Sequence, residues 1–395
     1  VRLLHTGDWH LGKRLYGQDR REEARAALDE VVAAARRESV DAVLVAGDLL
    51  DRRLVDATAL EDCLAALRGL ADVAPVLVVT GNHDDPDLWA ALAPFLRARG
   101  IHVRSRVGAA ADAVVTVETA AGPLHAALLP WPSPRGMASD LGTHEDAAKL
   151  RYAEVVGSLL RGYADRLRGL RDAQGGVAVL VGHLMVDGAV AGGGERELTM
   201  GITYAVSPAA LPTDLDYLAL GHVHRPQAIP RVAAPGWYAG SPMALDFSED
   251  AHGKATCVVE VAAQRTQVRT APLVAARPLV RLRAPLERLA DLASAHPSAW
   301  FLCEVELDGP VLDLVRQVRE AVPGTLRVEP RYAALTPPGD HLGGAEGGGD
   351  GGGPLLSLGD RYAEWYAVQG RPLPPDLGAA FAAAVAAAER EGEGV

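Results

Sequence analysis

The chain has 395 residues, of which 49% are hydrophobic, and carries a formal net charge of −12 from 51 acidic against 39 basic side chains. That length fits one large domain plus a smaller one, the apolar fraction excludes wholesale disorder, and no apolar run is long enough to span a bilayer. The acidity excludes a protein that grips nucleic acid by bulk charge; such a substrate would need a local basic patch, bound metal ions or a partner's surface.

Cys63, Cys257 and Cys303 are odd in number and lack CxxC spacing, which argues against a disulfide framework or a thiolate-ligated metal. Each reads as a small buried apolar residue. The expected compartment is the cytoplasm, because the first strand begins at once and a ligand-type residue already stands at Asp8, leaving no room for a signal peptide.

Residues 2–6 read as a strand and residues 12–21 as a polar, Arg-rich loop. Leu28, Val31, Val32 and Ala35 give residues 22–38 a helical spacing. Strand and helix then alternate, with strands at 41–46 and 75–80 and helices at 57–70 and 87–99, the mark of βαβ units and a parallel sheet. Short strands follow at 113–118 and 124–129, then Pro130-Trp131-Pro132-Ser133-Pro134, which excludes regular structure. A helix over 145–169 leads to a strand ending at His183, and the loop 186–201 carries Gly192-Gly193-Gly194 and is expected to move. Runs at 236–240, 255–261 and 266–271 are expected to build a second sheet facing the first.

From 278 to 331 the order strand, helix, strand, helix, strand describes a small αβ module of its own. Pro337-Pro338-Gly339 and the tract Gly343 to Gly353 read as a flexible linker. Two helical patterns follow, at 355–369 and 376–390, too small to hold a core alone and so expected to dock on something else. The expected division is a core of residues 1–275, an αβ capping domain of 276–333, a linker of 334–354 and C-terminal helices of 355–395.

One pattern recurs at five strand ends: an apolar run, a glycine, then a ligand-type residue. It is clearest in Leu44-Val45-Ala46-Gly47-Asp48-Leu49-Leu50-Asp51, and it returns at Gly7-Asp8-Trp9-His10, Gly81-Asn82-His83-Asp84, Gly182-His183 and Gly221-His222-Val223-His224. Any one of these would be an ordinary turn residue. Five in series are not chance. Open α/β sheets place ligands at the carboxyl ends of strands. Asp8, His10, Asp48, Asn82, His83, Asp84, His183, His222 and His224 offer carboxylate, imidazole and amide oxygen donors without thiolate. That set suits Mn²⁺, and less well Mg²⁺ or Zn²⁺. The donors are too many for one ion, and a carboxylate at Asp48 can bridge two, the arrangement that polarises a phosphoryl oxygen and activates water for in-line attack. His5 alternates inside a strand and reads as a core histidine. His102, His125, His144, His252, His296 and His341 have no motif around them and read as surface or structural. The cluster Arg14, Arg20, Arg21 and Arg25 divides about evenly between a solvated face and phosphate contacts.

The spacing D-x-H, G-D-x-x-D, G-N-H-[DE], G-H and G-H-x-H over residues 1–225 resembles the calcineurin-like metallophosphoesterase superfamily. Within it, residues 5–12, 221–225 and 240–247 are similar to the SbcD family of nuclease subunits, although Gly7 stands where Ser is common and the glycine tract is no family feature. The resemblance implies a two-sheet sandwich flanked by helices, with a small αβ capping domain and C-terminal helices. It implies one ion held by Asp8, His10, Asp48 and His224, and a second held by Asp48, Asn82, His183 and His222. His83 would then be the general acid or transition-state donor, Asp51 would orient it, and Asp84 would support the site from behind. Two divalent ions, Mn²⁺ or else Mg²⁺, are implied as cofactors. The implied activity is hydrolysis of double-stranded DNA at ends and hairpins in repair and recombination. The implied partners are an SbcC-type, SMC-like coiled-coil ATPase bound by the C-terminal helices and a second copy of the chain, through the helices at 57–70 and 87–99. An alternative is a phosphodiesterase of cyclic nucleotides, which leaves the αβ module and the helical tail unexplained. A non-catalytic scaffold is opposed by the complete ligand set.

Overall fold

A computed structural model describes residues 1–141, 151–192, 204–249, 253–262, 265–332, 366 and 374–381. The glycine tract, most of the expected C-terminal helices, the loop residues 193–201, His144, His252 and His341 lie outside the described residues. Two units are distinguished, Val1–Ala334 and Leu335–Val395. In the second, residues 375–381 are helical.

The first sheet has six strands in the order β16 (Arg265–Pro272), β15 (Ala255–Ala262), β1 (Arg2–Thr6), β4 (Ala42–Ala46), β5 (Val76–Val79), β6 (Ile101–Arg104). Strands β1, β4, β5 and β6 are parallel. β4 and β5 are buried along their whole length, which is why they read as unbroken apolar runs rather than alternating ones. Val43, Val45, Val76 and Val78 meet the helices α1 (Arg21–Glu38), α2 (Ala57–Ala71) and α3 (Pro86–Arg97). Leu44, Ala46, Leu77 and Val79 point the other way, into a core shared with the second sheet. The helix starts follow from their caps: Asp56 accepts from the Thr58 amide, and Asp85 caps α3 with Pro86 in its first turn.

The second sheet runs β13 (Gln227–Ala228), β14 (Gly236–Tyr238), β12 (Tyr217–Gly221), β9 (Val177–His183), β8 (Gly122–Leu129), β7 (Val114–Thr119). Its inner face brings Leu124, Ala126, Leu128, Val179, Val181 and Ala219 against the first sheet. Its outer face is covered by α6 (Tyr152–Gln174), with the short α4 (Ala110–Ala113) beside it. α5 (Pro134–Leu141) starts at the last proline of the Pro130–Pro134 run, a position where the missing N–H costs nothing. Two small ladders complete this part: β2 (Arg14–Leu15) with β3 (Gln18–Asp19), and β10 (Met185–Val186) with β11 (Ala205–Val206). The result is helix, sheet, sheet, helix, the two-sheet sandwich flanked by helices that the resemblance implies.

The expected composition of the second sheet needs correcting. Of the runs assigned to it, only the one at 236–240 joins it; β15 and β16 extend the first sheet instead, with β15 antiparallel to β1 through Leu3↔Val259 and His5↔Cys257. The cause is the free edge of β1: unpaired backbone groups there need partners, and β15 supplies them, reinforced by the Thr256 hydroxyl donating to the His5 carbonyl at 2.8 Å. The second sheet takes its other strands from 114–129, 177–183, 217–221 and 227–228. β6 has no counterpart among the expected strands.

The αβ module is a parallel three-stranded sheet, β17 (Leu279–Pro285), β18 (Trp300–Leu307), β19 (Thr325–Tyr332), with α7 (Leu286–Ala293) and α8 (Leu314–Ala321). Leu282, Leu289, Phe301, Cys303, Val305 and Val318 form its own core. Leu279 and Leu302 seat it on Leu15 and Phe247 of the larger body. Trp300 donates to Glu23 at 2.7 Å while the Arg277 guanidinium lies 3.8 Å from its ring centre. All three cysteines are buried and free. No helix among the described residues is long and apolar enough to cross a membrane.

Candidate metal centre

The two sheets end together, and the loops after β1, β4, β5, β9 and β12 share one rim. Asp8, His10, Asp48 and His222 all have left-handed backbones, with φ between 46° and 99°, an uncommon state for residues with a Cβ. A main-chain ladder holds two of the loops in it: Asp8 N–H donates to Gly47 O (2.9 Å), His10 N–H to Asp48 O (3.0 Å) and Asp51 N–H to Leu11 O (3.0 Å). Glycine is required at 47 on two counts, a φ of +92° and a His183 ring whose Cγ would lie 2.8 Å from any Cβ.

Ligand atoms of Asp8, His10 and His224 lie within 4.8 Å of one another, as do those of Asp48, His183 and His222, and those of His10, Asp48 and His83. Asn82 Oδ1 sits between His183 Nε2 (3.1 Å) and His222 Nδ1 (3.0 Å). Asp48 belongs to two of these groups, and its Oδ2 is 3.4 Å from both His10 Nε2 and His183 Nε2. Its other oxygen accepts from the His83 amide at 2.9 Å, and the His222 amide donates to both oxygens of Asp8.

Burial sets the charges. It pushes the Asp8 carboxyl up to about 6, against the pull of His183 and His224. It pushes His10 down to about 4 and His222 down to about 3, so both imidazoles are neutral near pH 7 and keep a lone pair. Burial also works against ionisation of Asp48, but the adjoining His183 and His10 rings outweigh it and hold the carboxyl well below its ordinary range. His183 shows the converse: desolvation opposes its charge, and the nearby Asp48 and Asp8 carry it up to about 9.

Both ring nitrogens of His10 are buried without a hydrogen-bond partner. Orphaned polar atoms at that depth are costly in a native fold. A divalent cation beside the neutral His10 and His222 rings supplies the missing partner and would take the place of the proton that the carboxylates hold on His183, so the donor set fits a two-ion centre.

Asp51 meets His83 differently from expectation. His83 Nδ1 donates to the main-chain carbonyl of Asp51 at 2.7 Å, not to its carboxylate. That carboxylate faces His10 Nδ1 at 3.4 Å and Lys13 at 3.8 Å, on a segment held against the first loop by the Asp51 N–H bond to Leu11 O and the Leu11–Leu50 bridge. The Asp84 carboxylate accepts from the amides of Leu49, Leu50 and Gly81, tying the second loop to the third, and burial lifts it to about 7.

Residues outside the five motifs complete the site. Glu249 Oε1 lies 2.9 Å from His224 Nδ1 inside a buried group with Lys254 and Ser241. The Trp131 ring stacks on His222 at 5.0 Å between centres. A buried carboxylate 25 positions from its histidine leaves no spacing signal, though Glu249 does follow closely on the 240–247 motif. The arginine cluster divides: Arg20 pairs with Glu23 at 2.8 Å and Arg21 with Asp62 at 2.5 Å, while the exposed Arg25 and Arg14 lie 3.7 and 3.9 Å from Asp62 and Asp19. His5 is a core residue bonded to the Tyr217 hydroxyl at 2.9 Å, and His125 is a buried structural one held by Thr116 and the Gly175 carbonyl. His296 is exposed and His102 half-buried.

The profile of the calcineurin-like phosphoesterases matches residues 1–226, and that of the type 5 capsule protein repressor C-terminal domain matches residues 275–345. The chain is 30% identical over 389 residues to the SbcD subunit of the SbcCD nuclease from Bacillus subtilis (strain 168), covering 95% of each. It is 32% identical over 361 residues to the SbcD protein of Rhodobacter capsulatus, covering 85% of this chain and 87% of that one. The SbcD protein of Escherichia coli (strain K12) is 29% identical over 345 residues, covering 83% and 84%.

Proposed function

The chain belongs to the calcineurin-like phosphoesterases and, within them, to the SbcD family of metal-dependent nuclease subunits, and from that membership we propose that it hydrolyses phosphodiester bonds of duplex DNA at ends and hairpins as one half of an SbcC-containing complex. The observation that carries the reading is Asp48 between two buried ligand groups, Asp8–His10–His224 and His183–His222 with Asp48 itself, its Oδ2 3.4 Å from both His10 and His183 Nε2. Asp8, His10, Asp48 and His224 would hold one ion, and Asp48, Asn82, His183 and His222 the other, with Mn²⁺ the proposed metal. When bound, such a pair supplies Lewis-acid stabilisation of the phosphoryl charge and a nucleophile from water at neutral pH.

The chain's own residues do the rest. His83 commits its Nδ1–H to the Asp51 carbonyl, so only Nε2 is left to hand a proton to the departing oxygen. Asp84 and the main-chain ladder fix the loops that carry Asp48 and His83. Trp131 packs on His222 and limits where that ring can turn. The core of residues 1–275 carries the chemistry. The capping domain of 276–333 borders the substrate, and helices in 355–395, on the linker of 334–354, dock on the ATPase of a cytoplasmic complex built around a homodimer.

The test is hydrolysis of linear duplex and hairpin DNA in Mn²⁺, with Asp48→Asn as control and a cyclic nucleotide alongside. Metal-dependent DNA cleavage lost in the variant supports the reading. Turnover of the cyclic nucleotide with DNA untouched rejects it and leaves only the phosphoesterase family.

A further inference from the structure

The two ligand groups differ in what stands behind them. His224 Nδ1 is backed by the Glu249 carboxylate at 2.9 Å, and His10 Nδ1 faces the Asp51 carboxylate at 3.4 Å. In the other group His183 Nδ1 rests on a neutral main-chain oxygen, that of Ala46, at 2.7 Å, while His222 turns its Nδ1 inward, toward the Asn82 donor of the same group. The carboxylates within each group differ as well: Asp8 groups with His10 and His224, and Asp48 lies 3.4 Å from both His10 and His183, whereas on the His183 side Asp8 is only a more distant charge, 3.9 Å from Nδ1. A dication on the His10 side therefore meets more negative charge, directly and through its imidazoles.

Glu249 is built to stay where it is. It is 1% exposed, and its second oxygen accepts from Lys254 Nζ (2.6 Å), the Leu245 amide (3.2 Å) and the Ser241 hydroxyl (3.4 Å). Lys254 keeps this buried carboxylate ionised while leaving Oε1 to His224, and it also donates to the His224 carbonyl at 3.2 Å. The turn Phe247–Glu249 is pinned from its other side, where Phe247 packs on Leu279 and Leu302 of the αβ module. An anchored carboxylate on Nδ1–H fixes the tautomer, raises the basicity of Nε2 and holds the ring's direction.

We propose that Glu249 is a positioning residue that makes the site formed by Asp8, His10, Asp48 and His224 the tighter of the two, so that it fills first and the Asn82–His183–His222 side fills second. This rests on the two-ion reading given above. The experiment is a Mn²⁺ titration of the metal-free full chain followed by electron paramagnetic resonance, which separates free ions, isolated bound ions and spin-coupled pairs. In the wild type the first equivalent is expected to bind at least about tenfold tighter than the second and to give an isolated signal. Glu249→Gln should weaken that first equivalent by about 10- to 100-fold and leave the second at its own affinity, which also shows that the fold survives, so coupled pairs appear from the start. Glu249→Asp should recover part of the loss. A wild type that binds no pair of ions overturns the two-ion reading. One that binds two ions with equal affinity overturns the filling order alone, whatever the variant does, and an unchanged first equivalent in Glu249→Gln overturns the role of Glu249.

Discussion

Gly81→Ala is the sharpest test of how the centre is packed. Gly81 does not use a left-handed φ, so its backbone accepts alanine and the whole effect is steric. An added Cβ would lie 2.5 Å from Asp48 N and 2.6 Å from Asp48 Cγ, and closer still to Oδ1. Ordinary contact begins at 3.4 Å, so the carboxylate carbon must retreat by about 0.8 Å, or the third loop must move as a body and pull Asn82 and His83 with it. Either shift disturbs the one carboxylate common to both ligand groups. Misplacement of about 1 Å costs about 10²-fold in turnover, and overpacking costs about 1–3 kcal/mol in stability. Calorimetric Mn²⁺ titration should show both ions weakened by about tenfold or more, and urea unfolding should show the strain. Gly162→Ala is the control: nothing lies within 4 Å of its added Cβ, and inside α6 it should stabilise by about 0.5–1 kcal/mol and leave metal binding alone. A Gly81→Ala protein that binds two ions with wild-type affinity would refute the argument.

Asp48→Asn should lose activity through metal loss, seen as missing Mn²⁺ in the titration, whereas His83→Ala should keep its metal and lose about 10²-fold or more in rate. Full turnover by His83→Ala would remove His83 from the mechanism. Trp300→Phe deletes the 2.7 Å bond to Glu23 that helps seat the αβ module, and should cost about 1–2 kcal/mol in urea unfolding; no change would mean the apolar contacts seat it unaided. Arg331, with Arg281, holds the Glu304 carboxyl below its ordinary value of 4.5. A depressed carboxyl contributes stability that is full above that value and is lost as pH falls through the folded-state value. Glu304→Gln should therefore be the less stable protein at pH 7, with the gap closing in acid. A gap that stays constant with pH would show that the pairs with arginine contribute nothing.

The parallel half of the fold was legible because burial on both faces leaves an unbroken apolar run, as in Val43–Ala46 and Val76–Val79, and because each run ends at a glycine. What a strand pairs with is not a local property. β15 is buried on both faces over its first five residues, and such a run would read the same whether it paired with β1, as in Leu3↔Val259, or with a strand of the opposite sheet. β6 escapes a sequence reading for a related reason: its His102 and Arg104 carry the polarity of a sheet edge, and four residues are too few to show a period.

At the site, residue types were legible and directions were not. Glycine followed by aspartate, asparagine or histidine marked where donors gather, since a Cβ at 47, 81 or 221 would collide with the neighbouring loops and the φ at 47 is left-handed as well. Three residues beyond Asp48, Asp51 was expected to steer His83 with its carboxylate; pairing of its segment with the first loop instead sets that group beside His10 and leaves the carbonyl for His83. The same amino acid therefore serves both sides of the centre, one through a fixed dipole and one through a charge. An Asp51→Asn protein separates the two. The carbonyl and its bond to His83 remain, so the general-acid step should persist, while the charge behind His10 is gone and the first Mn²⁺ should bind more weakly, by about tenfold. Loss of rate at saturating Mn²⁺ with unchanged metal affinity would show that the carboxylate serves His83 after all.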